Sequence, residues 1–279
     1  MSLQITSLNS GSNGNCYYVG NSDEAVLVDA GISCRETEKR MQLLGLSMQR
    51  VKAIFISHEH TDHVRGLQGI AEKYQLPVYI TLATLRHSSL LLKKELVVPL
   101  RADTPVNIGA LCITAFPKYH DAADPHSFTI ACRGTKVGVF TDIGAPCSRL
   151  VNFFRQCHAA FLESNYDEQL LDNGRYPLFL KNRIRGGRGH LSNKQAVDLF
   201  ISHRPPFMSH LLLAHLSKDN NCPEMVQQLF ELHAAGITIT VASRFCHTPL
   251  FEISAGQSRV ENTKGAPSMV VRPKQLTLF

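Results

Sequence analysis

No apolar run in this 279-residue chain approaches the ~20 residues needed to cross a bilayer, so no membrane span is expected. The opening Met1-Ser2-Leu3-Gln4-Ile5 lacks a basic n-region and an apolar h-region, so no signal peptide is expected either. The eight cysteines are scattered singly, with no C-x-x-C pair. That pattern excludes a disulfide framework and suits reduced thiols in the cytoplasm. Cys34, Cys112, Cys132 and Cys157 sit in apolar patterns and read as small core residues. No internal repeat is evident. The stretch Asn9-Ser10-Gly11-Ser12-Asn13-Gly14-Asn15 is too poor in glycine and wrongly spaced for a P-loop, which needs G-x-x-x-x-G-K.

What is present is ordinary for a globular enzyme. Apolar residues make up 44% and charged residues 19%, and the length allows one domain with a large core. The formal net charge of +6 is compatible with an anionic partner such as nucleic acid, although many basic proteins bind none.

The informative stretch is Ile54-Phe55-Ile56-Ser57-His58-Glu59-His60-Thr61-Asp62-His63. Residues 51–56 read as a buried strand, and four metal-type side chains follow within six residues. His58 and His60, two apart on the strand-end loop, can face one way; Asp62 and His63 can serve a second ion beside the first. Imidazole suits zinc, iron or nickel, and a carboxylate among the ligands adds manganese. A polar loop of solvated histidines is the competing reading. One histidine would favour it; H-x-H-x-D-H directly after a hydrophobic strand does not.

Strands are expected at 3–8, 16–20, 25–29, 77–80, 110–116, 137–141, 160–164, 210–214 and 237–242. Helices are expected at 33–44, 64–74, 82–94, 146–158, 193–203 and 223–235. Residues 9–15 join two strands, either as a plain turn or with Asn13 and Asn15 lining a cleft. Lys181, Arg183, Arg185 and Arg188, with three glycines, lead into His190 just before the helix at 193. The run is either a solvated basic face or a phosphodiester seat, since arginine grips phosphate and helix N-termini favour anions. His215 sits at a strand end and would complete a second metal. Glu163 is either an acid behind the metals or a buried structural residue.

The motif resembles the metallo-β-lactamase superfamily, which implies a single-domain αββα sandwich over residues 1–253 with metals at one edge of its two sheets. In that setting Asp29 is the buried aspartate that orients the histidines. His120 is the third histidine ligand, with His126 as its competitor, and Asp142 is the bridging carboxylate. The order H-x-H-x-D-H, His120, Asp142, His190-Leu191-Ser192 and His215-Leu216-Ser217 is similar to the YycJ (WalJ) branch, whose members are regarded as 5′-to-3′ DNA exonucleases. So are Leu8 to Asn15, Val28-Asp29-Ala30-Gly31 and His120 to Pro125. The resemblance implies a first ion held by His58, His60, His120 and Asp142, and a second by Asp62, His63, Asp142 and His215. The two divalent ions would be zinc or manganese, with iron allowed, and a metal-bridging hydroxide would be the nucleophile. Asp62 would also orient that nucleophile, and His190 would protonate the leaving oxygen or bind phosphate. Arg183, Arg185, Arg188 and Asn13 are the expected substrate contacts. Ser127 departs from the glycine usual before the phenylalanine. His60, where a glutamate would stand in a flavodiiron site, argues against oxygen reduction. The lack of a T-x-G-H loop weakens a thioesterase or β-lactamase reading, and the Asp142 to His215 spacing leaves no room for a large inserted domain.

Residues 254–274 read as a flexible basic linker. It ends in Gln275-Leu276-Thr277-Leu278-Phe279, similar to the peptide with which bacterial repair and replication proteins bind the sliding clamp. A terminal strand packing back on the domain is the alternative. Together these features favour a cytoplasmic DNA exonuclease of repair or replication. The alternatives are a hydrolase of a small phosphodiester or thioester, and a non-catalytic metal-binding regulator, which would have no need of an open two-metal site.

Overall fold

The computed structural model describes residues 2–256. The expected linker beyond residue 256 and the peptide 275–279 lie outside the described residues.

Along the chain run β1 (Leu3–Asn9), β2 (Cys16–Gly20), β3 (Ala25–Val28), β4 (Val51–Phe55), β5 (Val78–Ile80), β6 (Val97–Pro99), β7 (Val106–Ile108), β8 (Leu111–Pro117) and β9 (His126–Cys132). They are followed by β10 (Thr135–Phe140), β11 (Ala159–Glu163), β12 (His210–Ala214), β13 (Thr238–Val241) and β14 (Phe251–Ile253). They form two seven-stranded sheets, ordered β14-β1-β2-β3-β4-β5-β6 and β13-β12-β11-β10-β9-β8-β7. The helices are α1 (Cys34–Leu43), α2 (Thr61–Val64), α3 (Leu67–Tyr74), α4 (Leu82–His87), α5 (Ser148–Phe154), α6 (Glu168–Asn173), α7 (Leu178–Arg185), α8 (Asn193–His203) and α9 (Pro223–Glu231).

The apolar strand residues divide by parity among three cores. Val26 and Val28 of β3 point between the sheets, while Ala25 and Leu27 face the side of α1 and α3. In the other sheet, Phe161 of β11 and Leu212 of β12 point inward, while Leu162, Leu211 and Leu213 pack under α5, α8 and α9. Both faces of each sheet are covered, so these strands read as continuous apolar runs rather than alternating ones. The sheets lock through aromatic contacts, with Tyr17 and Phe161 ring centroids 4.9 Å apart. The result is the expected αββα sandwich. Among the described residues no helix is long and apolar enough to cross a membrane, and all eight cysteines are free.

Several boundaries differ from expectation. The helix expected over 64–74 is broken into α2 and α3 at Gly66. The backbone there crowds that of residues 30–32: Gly66 N donates to the Ala30 carbonyl at 2.8 Å, and a Cβ would come within 1.8 Å of the Ile32 oxygen. The helix expected over 82–94 stops at His87, capped by Ser88, whose hydroxyl bonds back to the Leu85 carbonyl. Pro146 lies before its helix rather than in the first turn; Cys147 is the N-cap. Half of the basic run is helical, as part of α7. Short strands β6, β7 and β14 sit at or next to sheet edges.

Parallel pairing of β3 with β4, and of β10, β11 and β12, puts their C-terminal ends at one edge of the sandwich. β8, antiparallel to β9 as β9 is to β10, ends there too. Cleft formation at the carboxyl ends of such strands follows the general rule for open α/β sheets. The two sheets are stitched at this edge, where His126 N donates to the Ser57 carbonyl at 2.9 Å and His215 N to the Ser10 hydroxyl at 2.7 Å.

Candidate metal centre

Asp29 follows β3 and is fully buried. Its carboxylate accepts from Ser57 N (2.8 Å), the Ser57 hydroxyl (2.9 Å) and His63 Nδ1 (2.7 Å). One carboxylate thus fixes the start of the histidine loop and a ring within it. His60 is the N-cap residue of α2, so Asp62 and His63 fall in the first helical turn. That turn lies against residue 31: Asn15 N donates to the Asp62 carbonyl at 2.7 Å, and a Cβ on Gly31 would lie 1.7 Å from that oxygen. Glycine is required there by close approach rather than by φ.

The rings are held from behind so that one nitrogen each is free for the centre. His58 Nδ1 is tied to the Ser57 hydroxyl (2.8 Å), His120 Nδ1 to the Gly189 carbonyl (3.0 Å) and His215 Nδ1 to Glu163 Oε1 (3.1 Å). This anchoring of Nδ1, which leaves Nε2 outward, is how metal-binding histidines are normally fixed. His58 Nε2 lies 3.1 Å, and His120 Nε2 3.4 Å, from His60 Nδ1. Four overlapping sets of ligand atoms result: His58, His60 and His120; His58, His63 and Asp142; Asp62, His63 and His215; and Asp142, Glu163, His190 and His215.

Asp142 joins these sets. Its Oδ2 lies 3.3 Å from His63 Nε2 but makes no hydrogen bond, although the residue is buried. A buried carboxylate oxygen with no hydrogen bond, facing converging imidazole rings, is costly unless a cation occupies the space between them. The donor set therefore fits divalent metal, with nitrogen and carboxylate ligands suited to zinc or manganese. Asp29, Asp142 and His215 all have left-handed backbone, with φ of 61°, 54° and 56°. Each turns the chain sharply off a strand end and aims its side chain along the edge.

Electrostatics separate the rings. Burial pushes the His58 imidazole well below its ordinary pKa, reinforced by His63 and Lys118. Burial also brings His120 down to about 4 against the pull of Asp142. His63 is equally buried, but Asp142, Asp29 and Asp62 overcome that and raise it well above normal. His215 is raised to about 10 against its burial, by Asp142, Asp62 and Glu163. Glu163 is lowered to about 2 despite its burial, by His190 and His215.

Around the centre opens a cleft of about 250 Å³ lined by His60, Asp62, Asp142, His190 and His215, with Arg183 at its wall. The expected site residues fare differently in space. His58, His60, Asp62, His63, His120, Asp142 and His215 come together, with His190 beside them. His126 lies in β9, bonds the Asp124 carbonyl, and belongs to none of the ligand sets. Arg183 faces the cleft, ion-paired with Asp121. Arg185 instead pairs with Asp172 at 2.7 Å, in a separate depression lined also by Tyr166 and Gln195. Arg188 is exposed, its backbone against Gly144. The N-terminus of α8 is closed by its own capping box, Ser192 with Gln195, so it offers no open anion seat. Of the two loop asparagines, Asn15 reaches the centre, donating to Asp62 Oδ2 at 3.1 Å. Asn13 turns away and donates to the Arg244 carbonyl at 2.9 Å.

Glu163 takes the first of its two expected roles, an acid behind the metals, and two further residues go beyond the sequence reading. Glu163 is shared by His190 (2.7 Å) and His215 (3.1 Å) and also accepts from Ile143 N and Leu191 N. Lys118 is buried, its ammonium donating to the Thr141 carbonyl at 2.7 Å and so bracing the backbone just before Asp142. Asn165 donates to the His215 carbonyl at 2.7 Å. Glu163 was marked by its place at a strand end among the other site residues; Lys118 and Asn165 carried no such signal.

Comparison with known proteins agrees with this geometry. The family described as Beta-lactamase superfamily domain matches residues 24–215. Exodeoxyribonuclease YycJ of Bacillus anthracis is 33% identical over 244 residues, covering 85% of this chain and 92% of the relative. Exodeoxyribonuclease WalJ of Streptococcus pneumoniae serotype 2 (strain D39) is 30% identical over 262 residues, covering 88% and 96%. Among solved structures, the metallo-β-lactamase fold protein YhfI from Bacillus subtilis superposes with a TM-score of 0.70 at 17% identity, over 90% of this chain and 99% of that one, a likeness of fold. The chain belongs to the metallo-β-lactamase superfamily, in the branch that holds YycJ and WalJ.

Proposed function

We propose that this protein is a metal-dependent phosphodiesterase acting on DNA, a 5′-to-3′ exonuclease of repair or replication that works in the cytoplasm. The observation that carries the reading is near-full-length similarity to two exodeoxyribonucleases. The clustering of seven metal-type side chains, four of which line one open cleft, supports it. His58, His60, His120 and Asp142 would hold one divalent ion, and Asp62, His63, Asp142 and His215 a second, zinc or manganese. Bound there, such ions supply positive charge to the phosphate oxygens and lower the pKa of water.

The chain's own residues do the rest. Asp29 and Glu163 fix the ring orientations. Asp62, half-open to the cleft and held by Asn15, is placed to orient an attacking water. His190, tied through Nδ1 to Glu163, has Nε2 left for the phosphate or for protonating the leaving oxygen. Arg183 at the cleft wall can exchange Asp121 for a phosphate. Arg185 and Arg188 would act further along the strand.

The test is incubation with Mn²⁺ and duplex or single-stranded DNA labelled at the 5′ or the 3′ end, beside a His60→Ala/Asp62→Ala double variant. Metal-dependent loss from the 5′ end, absent in the variant, is expected. Hydrolysis of a small phosphodiester or thioester, with DNA left intact, would instead make the protein a small-molecule hydrolase. For the tail we propose that Gln275, Leu276, Leu278 and Phe279 bind a bacterial sliding clamp. Binding of the 275–279 peptide should be lost on Leu278→Ala with Phe279→Ala; unchanged binding would refute that role.

A further inference from the structure

A second cavity, of about 210 Å³, adjoins the metal cleft and shares Leu216 and Ser217 with it. These two residues directly follow His215. Pro223, Val241, Ala242 and Phe245 give the cavity apolar walls, and Lys218 stands at it as a cation. Phe245 is 77% exposed. Its exposure is not that of a loose loop, because the backbone around it is tied down from several sides. Arg40 Nη2 donates to the Phe245 carbonyl (3.0 Å), Asn13 Nδ2 to the Arg244 carbonyl (2.9 Å), and Ser10 N to the Ser243 carbonyl (3.1 Å). Arg40 is itself fixed, donating to the Leu8 carbonyl and Asn9 Oδ1, both at 2.6 Å. Arg244 Nη2 donates back to the Leu216 carbonyl at 2.8 Å, coupling this loop to the chain that leaves the metal centre.

The sequence thus spends three polar side chains on holding an aromatic ring in water beside an apolar recess. We propose that the recess is a nucleobase subsite, in which Phe245 stacks on the base of the nucleotide next to the scissile phosphate. The inference rests on the nuclease reading and deepens it. A polymer's bases all present a π-face, so an aromatic platform grips any sequence. The recess adjoins the metal cleft through Leu216 and Ser217, within reach of a nucleotide flanking the scissile one, and Lys218 there suits a phosphate. Asn13 acquires a role as well, positioning the loop rather than touching the substrate.

The experiment uses the full metal-loaded chain and single-stranded DNA, either intact or lacking the base at one nucleotide flanking the scissile phosphate. Phe245→Ala should lower kcat/KM on intact DNA by about tenfold, as expected for loss of one stacked base. It should cost little on the DNA from which that base has been removed, and Phe245→Trp should recover most of the loss. 2-Aminopurine at the same nucleotide should be quenched on binding to the unaltered protein and less so by Phe245→Ala. Equal losses on intact and abasic DNA, or no loss on either, would overturn the subsite while leaving the nuclease reading in place. Failure of the unaltered protein to degrade any DNA would overturn both.

Discussion

The two sides of the metal centre are anchored differently. On one side the ring nitrogens of His58 and His120 that point away from the centre meet neutral oxygens, the Ser57 hydroxyl and the Gly189 carbonyl. On the other, those of His63 and His215 meet the carboxylates of Asp29 and Glu163. Burial is similar on both sides, so the surrounding carboxylates decide the outcome: Asp142 first, joined by Asp29 and Asp62 around His63 and by Asp62 and Glu163 around His215. His58 and His120 stay neutral, with lone pairs ready for a cation. His63 and His215 are made basic and, with no cation bound, keep a proton. Carboxylate anchors also strengthen an imidazole as a ligand, so the second side gains grip at the cost of competing with protons. One side is a preformed socket; the other must be discharged before it is filled.

Asp142 spans the two sides, and its loss should have the largest effect. Asp142→Ala is expected to release both ions and to lower DNA hydrolysis by about a thousandfold or more, from the several kcal/mol of charge stabilisation the metals supply. Metal content and kcat/KM measured together check this; retention of both ions would break the idea of a shared ligand.

A smaller effect should separate the sides. Glu163→Gln is expected to weaken the ion at Asp62, His63 and His215 by about 10–100-fold and to spare the ion at His58, His60 and His120, none of which hydrogen-bonds Glu163. Stepwise chelator titration reads the two affinities. Equal weakening of both would mean that the anchors do not act separately.

The mildest effect is on the stability of the metal-free protein against pH. His215, raised to about 10, contributes stability that is complete below the ordinary histidine pKa of about 6.5 and is lost as pH rises through 10. His120, lowered to about 4, works oppositely: stability falls as pH drops from about 6.5 towards 4. Thermal melts of the stripped protein should therefore decline on both sides of neutrality. His215→Gln should flatten the alkaline limb and His120→Gln the limb between pH 6.5 and 4.

The sequence was most legible where ligands lie close together or where a long buried strand ends. H-x-H-x-D-H after β4, Asp142 after β10 and His215 after β12 are of that kind. The buried strands were legible as apolar runs, while the resemblance supplied the layered fold and His120. Legibility failed where a neighbour decides. Strands β6, β7 and β14 are three residues each and owe their pairing to adjacent strands rather than to propensity. The helix over 82–94 was cut short by local serine capping. Asn13 and Asn15 look alike in a polar turn, and Gly11 and Gly14, with φ of 130° and 144°, bend the chain so that Asn15 reaches Asp62 and Asn13 reaches Arg244. The basic run read as one unit, yet helical geometry in α7 sends Arg183 and Arg185 to different partners.

Asp29, Asp142 and His215 hold a backbone geometry that suits glycine better than any residue with a side chain. Each such position costs of order 1–3 kcal/mol; Gln75, Asp103, Arg133 and Ala235 share that geometry away from the centre. At Asp29 the three hydrogen bonds of its carboxylate offset that cost, whereas Asp142 Oδ2 has no hydrogen-bond partner, so the scaffold carries strain at Asp142 that a bound cation would offset.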